Sequence, residues 1–258
     1  MSFSSPCSQA PARWLLLSVD CSQWETLQHA AGVQDCLLQL HQELRRRALQ
    51  GAWVVGCQKS YETLLEQLPL GECILRLPAA LASVQAARES LGELLQQAQA
   101  QLPQHTLSAV AVEGPWLSPH GDLLARRGIQ AVVTLPQVPS WPRRLLRRKS
   151  PPVGSGALQV LRYGLRRLPV THLLPRQVSA FAHLARRARD RHRYLHLLIP
   201  AAALVSGRGA QAVTLALELA QELVHRHQWC CVAPGELLAV LESYTQRQGA
   251  TSILRRAA

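Results

Sequence analysis

The stretch Trp14-Leu15-Leu16-Leu17-Ser18-Val19-Asp20 decides how this chain is read: an apolar run broken only by Ser18 closes on a carboxylate. The run is near-continuous rather than alternating, so a strand built from it must be buried on both faces, as when helices cover a parallel sheet. Runs of the same kind recur at Ala52 to Val55, Cys73 to Leu77, Leu107 to Val112, Ala131 to Thr134, Leu158 to Tyr163, Tyr194 to Ile199 and Trp229 to Val232. A solvated antiparallel sheet fits them poorly.

Between the runs, apolar residues return at helical spacing. Leu37, Leu40, Leu44 and Ala48 share one face, as do Val213, Leu217, Ala220 and Val224, and each such face can cover one side of a sheet. Ser118-Pro119 reads as a helix start, and Gly128 as its stop before Ile129 enters the next strand. The punctuation is β-α-β. With right-handed crossovers it predicts an α/β fold, either a closed (β/α)7-8 barrel or a doubly wound sheet.

The chain has 258 residues, of which 48% are hydrophobic, enough for one barrel domain over 13–247. Residues 1–12 read as a disordered tail and 248–258 as a C-terminal tail. Between 135 and 157, Pro136, Pro139, Pro142, Pro151 and Pro152 followed by Gly154-Ser155-Gly156 predict a long loop. The apolar stretch after Arg13 is too short to span a bilayer, and the Ser-rich residues before it lack the basic start of a signal peptide. A cytoplasmic protein with no membrane partner is the expectation. Cys7, Cys21, Cys36, Cys57, Cys73, Cys230 and Cys231 include no C-x-x-C pair, so they read as small buried apolar residues, with a redox or metal role as the alternative.

The formal charge is +12, almost wholly from arginine. Arg143, Arg144, Arg147, Arg148 and Lys149 cluster beside Trp141, and Arg186, Arg187, Arg189, Arg191 and Arg193 form a second group. Guanidinium forks suit phosphate and a tryptophan can stack on a base, so the loop from Trp141 to Lys149 is a candidate for weak polyanion or partner binding. The alternative is a coding bias that puts arginine for lysine on solvated helices. No nucleic-acid motif accompanies either cluster.

In a barrel of parallel strands the chemistry gathers at the carboxyl ends. Those positions hold Asp20, Cys21 and Ser22, then Cys57 and Lys59, Arg76, Glu113, Thr134, Arg162 with Tyr163, and Pro200. The two carboxylates, Asp20 and Glu113, are the minimum equipment for acid-base or glycosidic chemistry if they share the mouth. Paired with arginines instead, they would be structural. Gly207-Arg208-Gly209, before a helix, could cradle an anion through backbone N–H groups, although a flexible turn is the favoured reading. A nucleophilic Cys21 or Cys57 would need a base and an orienting group that the sequence does not show.

Leu15-Leu16-Leu17-Ser18-Val19-Asp20, Gly51-Ala52-Trp53-Val54-Val55, His120 to Ile129, Leu161-Arg162-Tyr163-Gly164-Leu165, Leu168-Pro169-Val170, Leu195-His196-Leu197-Leu198-Ile199, Trp229-Cys230-Cys231-Val232 and Gly235-Glu236-Leu237-Leu238 together resemble the NodB-type polysaccharide deacetylases and related glycoside hydrolases. That resemblance implies an irregular barrel of about seven strands. It also implies removal of an acetyl group from an amino sugar, assisted by a divalent metal on one aspartate and two histidines, with a second aspartate as base. The chain departs from this pattern at each motif. Asp20-Cys21 stands for the Asp-Asp pair, no histidine lies between His41 and His105, Ile199-Pro200-Ala201 replaces the late His-Asp, and Glu113-Gly114-Pro115 replaces Arg-Pro-Pro. His172, His183, His192, His196, His225 and His227 show no i, i+4 pair that would rebuild a helical metal site. The expectation is a degenerate member with no metal and no cofactor, a mouth able to take a carbohydrate or a small anion, and ligand contacts from Trp53, Arg162, Tyr163 and Arg208. A metal-independent hydrolase acting through Asp20 and Glu113 is the rival.

Overall fold

The computed structural model describes residues 13–22, 32–56, 72–102, 105–136, 158–174, 177–187 and 194–243. The expected tails, most of the proline-rich loop and the cluster Trp141, Arg143, Arg144, Arg147, Arg148 and Lys149 lie outside them.

The strands are β1 (Arg13–Asp20), β2 (Ala52–Val55), β3 (Glu72–Arg76), β4 (Thr106–Glu113), β5 (Ala131–Leu135), β6 (Gln159–Val160), β7 (Arg166–Pro169), β8 (His172–Leu173), β9 (Tyr194–Pro200) and β10 (Trp229–Cys231). The helices are α1 (Val33–Arg46), α2 (Arg88–Gln101), α3 (Gly121–Arg126), α4 (Val178–Arg187), α5 (Ala201–Leu204) and α6 (Gly207–His227), followed by α7 over 234–243. The sheet order is β6-β7-β5-β4-β3-β2-β1-β9-β8, with β10 beside β1. Every pair is parallel except β6 with β7. Parallel strands joined by helices, as in β1-α1-β2, β3-α2-β4 and β4-α3-β5, are what the two-face burial of the apolar runs demanded.

The sheet curls because one segment serves both of its ends. Val170 N–H continues the pairing of β7 by donating to Thr134 O of β5, and the next residue, Thr171, donates to His196 O of β9. The chain from β7 to β8 therefore passes from one margin of the sheet to the other, giving an irregular (β/α) barrel. Strand alternation then sorts side chains. Leu16, Ala52, Val54, Ile74, Ala109, Ala111, Ala131, Val133, Leu168 and Leu198 fill the inside, while Leu15, Leu17, Val19, Trp53, Val55 and Cys73 face the helical layer of α1, α5 and α6. Leu75, Val110, Val112 and Val132 face α2 and α3.

One expected strand is misplaced. Of Leu158 to Tyr163 only Gln159–Val160 pairs, and it does so antiparallel to β7. Tyr163 adopts a left-handed backbone (φ 60) and Gly164 follows it at φ 76, which an extended strand cannot contain. The parallel strand in that slot is Arg166-Arg167-Leu168-Pro169, which its two arginines concealed. Gly207-Arg208-Gly209 is the first turn of α6 rather than a flexible turn. Ser206 caps it, its Oγ accepting Gly209 N–H at 3.1 Å. Cys230 is disulfide-bonded, so the cysteines are not all simple apolar fillers. Its partner is none of the described Cys21, Cys36, Cys73 and Cys231, which are free. No described helix is long and apolar enough to cross a membrane.

Candidate functional site

Because β1 to β4 run parallel, their last residues gather at one end, and three of the inward-facing ones carry charge: Asp20, Arg76 and Glu113. Arg76 joins them. Its Nη1 donates to Asp20 Oδ2 at 3.3 Å and to Ser22 Oγ, and its Nη2 donates to Glu113 Oε1. Asp20 Oδ1 in turn accepts Ser22 N–H at 3.0 Å and Ser22 O–H at 2.5 Å, the local turn that a short carboxylate makes with its own backbone. The side chains of Arg76 and Asp20 are only 22% and 16% exposed, whereas Glu113 is 48% exposed, so the cluster opens towards solvent on the β4 side.

Asp20 and Glu113 thus converge on one guanidinium at the mouth. The geometry unites two sequence expectations: the carboxylates share the mouth, and both are arginine-paired. Arg76 and Ser22, noted only as strand-end residues, prove to be the hub. The sequence placed Arg76 at a strand end two positions after Ile74; that both face inward is fixed by the register of β3.

The other expected ligand residues are elsewhere. Trp53 is 3% exposed and lies between β2 and α1, its ring 6.4 Å from that of His41. Ala52 and Val54 take the inward positions of that strand, so alternation turns the indole outward. Arg162 and Tyr163 precede β7 and sit at the amino-terminal end of that parallel strand, opposite the mouth. There Tyr163 packs beside Gly121, where an added Cβ would meet its Cδ2 at 3.1 Å. Arg208 is exposed on the first turn of α6, where Ser206 already takes up the Gly209 N–H that an anion would have used.

Beneath the mouth, on the same inward column as Asp20, Ser18 Oγ lies 2.8 Å from His196 Nε2, and Tyr194 OH lies 3.2 Å from His196 Nδ1. All three are buried. Desolvation lowers the imidazole from 6.5 to about 3, so His196 is a neutral partner fixed in the β1–β9 seam. A serine beside a histidine that is closed to solvent and so weakly basic is a packing device rather than a nucleophile. The remaining described histidines are dispersed: His105 lies just before β4, His172 is engaged with Thr171, His120 with the Ala86 carbonyl, and His225 and His227 occupy the last turn of α6.

The chain shares this fold with a protein from Mycobacterium smegmatis assigned as a polysaccharide deacetylase, at a TM-score of 0.56 and 13% identity over 94% of this chain and 95% of that one. A CE4 family pseudoenzyme from Bacillus anthracis aligns at a TM-score of 0.48 and 8% identity, over 88% of this chain and 66% of its own. No protein-family model and no curated protein matches the chain. The deacetylase likeness is therefore one of fold.

That fold raises the question of a divalent metal. Among the described residues, no group of three or more His, Cys, Asp or Glu side chains could hold one. At the mouth the available oxygens, on Asp20 and Glu113, are turned to a guanidinium. A fixed positive charge in that position repels a cation, so the donor set does not fit a resident metal.

Proposed function

We propose that this chain keeps the deacetylase-type barrel without metal-assisted deacetylation, and that its mouth serves as a binding surface for a carbohydrate. One observation carries the proposal: Arg76 stands between Asp20 and Glu113 where catalysis would need a cation and a free base. Among the described residues, two carboxylates to one guanidinium leave the cluster net negative, so a neutral polyhydroxylated ligand is favoured over the small anion also considered. Sugar hydroxyls can donate to the carboxylates and accept from the arginine. The test is twofold. Purified protein given zinc, cobalt or nickel is expected to release no acetate from acetylated amino sugars, and titration with neutral oligosaccharides followed by NMR is expected to perturb resonances around Ser22, Arg76 and Glu113. Acetate release with stoichiometric metal would overturn the first half, and unperturbed spectra the second.

A metal-independent hydrolase through Asp20 and Glu113 draws support from their convergence on Arg76. Against it, each carboxylate already holds an ion pair that general acid-base work would have to break. Loss of glycoside cleavage in both Asp20→Asn and Glu113→Gln would establish it. Weak polyanion affinity of the segment from Trp141 to Lys149 is a separate proposal resting on composition, and salt-independent binding would argue against phosphate contacts. A cytoplasmic setting also remains a proposal. The disulfide of Cys230 weighs towards an oxidising compartment instead.

A further inference from the structure

β1 and β4 are not neighbours in the sheet; β2 and β3 separate them. Their carboxyl ends are nonetheless tied, because Arg76 of β3 reaches Asp20 and Ser22 on one side and Glu113 on the other. This is unlike an ordinary surface pair. Arg46 and Glu43, on one helix, are 69% and 41% exposed and lose little if separated, whereas the Arg76 and Asp20 side chains are 22% and 16% exposed. Removing a shielded guanidinium leaves two carboxylates facing each other with no counter-charge bonded to them among the described residues, and that repulsion is felt in a medium less polar than water.

We infer that Arg76 is a built-in cation: its guanidinium fills the space between Asp20 and Glu113, braces the mouth without any metal, and keeps divalent cations out. It is a positioning residue, acting through the two carboxylates. The inference deepens the reading of the mouth as free of metal chemistry and rests on it. A planar fork suits the task because its two amino groups diverge to separate partners, which one ammonium does less well. What excludes a cation is then the charge of residue 76, so with an uncharged side chain there a small divalent cation should be drawn to the two carboxylates.

The experiment compares thermal unfolding of the whole chain in EDTA and in millimolar magnesium or manganese. The wild type is expected to unfold at the same temperature in both. Arg76→Met is expected to lose about 5 °C in EDTA and to recover most of it with either cation, saturably. The triple variant Asp20→Asn, Arg76→Met, Glu113→Gln is expected to unfold near the wild-type temperature and to ignore the cation. Should Arg76→Met fail to fold, Arg76→Lys decides: a retained charge keeps it insensitive to cations, with equilibrium dialysis showing no manganese bound.

Cation stabilisation of the wild type would overturn the inference, as would an Arg76→Met protein whose unfolding is unchanged or whose loss no cation repairs. Manganese bound to Arg76→Lys would overturn it too. These failures differ from failure of the underlying reading, which appears as acetate release by the wild type. A wild type that is inactive and cation-insensitive, beside an Arg76→Met protein without a cation response, sinks only the role assigned to Arg76.

Discussion

Strand β3 ends in a charged residue at both extremities, and the two ends solve the problem of an inward charge differently. At the mouth, Arg76 meets two carboxylates and part of the cluster reaches solvent. At the opposite end, Glu72 points inward with no cation bonded to it among the described residues. It accepts Gly235 N–H from the first turn of α7, at 2.8 Å and 2.9 Å on its two oxygens, and the Ser108 hydroxyl. Ser108 is the extra residue of β4 where the β3–β4 register shifts between Cys73 and Ile74, so a bulge turns its hydroxyl to the carboxylate. Burial raises Glu72 from 4.5 to about 7; the Gly235 bond pulls the other way and nearby Glu236 adds to the rise. A helix N-terminus satisfies hydrogen bonds but replaces a full counter-charge only in part. The mouth is thus an electrostatic brace, and the base is a desolvated, hydrogen-bonded anchor for α7.

Above pH 4.5 the largest expected effect belongs to the base. Since the folded value of Glu72 lies above the unfolded one, its contribution is fully present below pH 4.5 and is lost as pH rises through about 7. Glu72→Gln keeps a hydrogen-bonding side chain without the charge, and should remove on the order of 3 kcal/mol of stability difference between pH 4.5 and pH 8. Urea unfolding across that range checks it, and an unchanged slope would erase the contrast between the ends. At the mouth, Arg76→Met should cost about 2 kcal/mol at neutral pH, again read by urea unfolding. A cost below about 0.5 kcal/mol would reduce the brace to a surface pair.

Between the ends, Ser18→Ala should cost about 1 to 2 kcal/mol by leaving His196 Nε2 without its hydroxyl partner. His196 has the opposite sign from Glu72. Its folded value is depressed, so its contribution is complete above pH 6.5 and is lost as pH falls towards 3, by about 1.4 kcal/mol per pH unit. His196→Phe should flatten that acid limb while leaving the Glu72 limb, a separation that unfolding curves of the two single variants would show. The smallest effect is expected outside the two inward charged clusters: Gly121→Ala brings a Cβ to 3.1 Å from Tyr163 and 3.2 Å from Leu165, for about 1 kcal/mol. Thermal unfolding checks it, and a loss as large as that of Arg76→Met would mean that the barrel ends hold no special position.

Much of the barrel was legible because buried parallel strands must be apolar on both faces, and Trp14 to Val19, Ala52 to Val55 and Tyr194 to Ile199 announce themselves in that way. β7 was not legible. Arg166 and Arg167 carry polar heads on long apolar stems, and Arg167 spends its guanidinium on Thr134 and Gln159, so a strand at the sheet margin reads as a loop. The apolar run just before it drew the assignment instead, and with it Arg162 and Tyr163 to the wrong end of the barrel.

For the site, Asp20 and Glu113 could be read from strand ends, and the missing histidines from their absence between His41 and His105. Their common partner could not. Arg76 is 56 residues from Asp20 and 37 from Glu113, and a lone arginine at a strand end looks the same whether it faces solvent or two carboxylates. Trp53 erred for a related reason, since an aromatic in a short run gives no hint of which face it takes until register fixes the alternation.

The sequence alone determined that the sheet is parallel and covered by helices, and that no histidine lies between His41 and His105, because periodicity and residue identity are local properties. Tertiary structure decided what gathers at the mouth. It brought the ends of β1, β3 and β4 together around one guanidinium, set Ser108 on Glu72 through a bulge, and turned Trp53 away from the mouth. Each outcome depends on strand register and curl, which arise only when segments far apart in the chain bury one another.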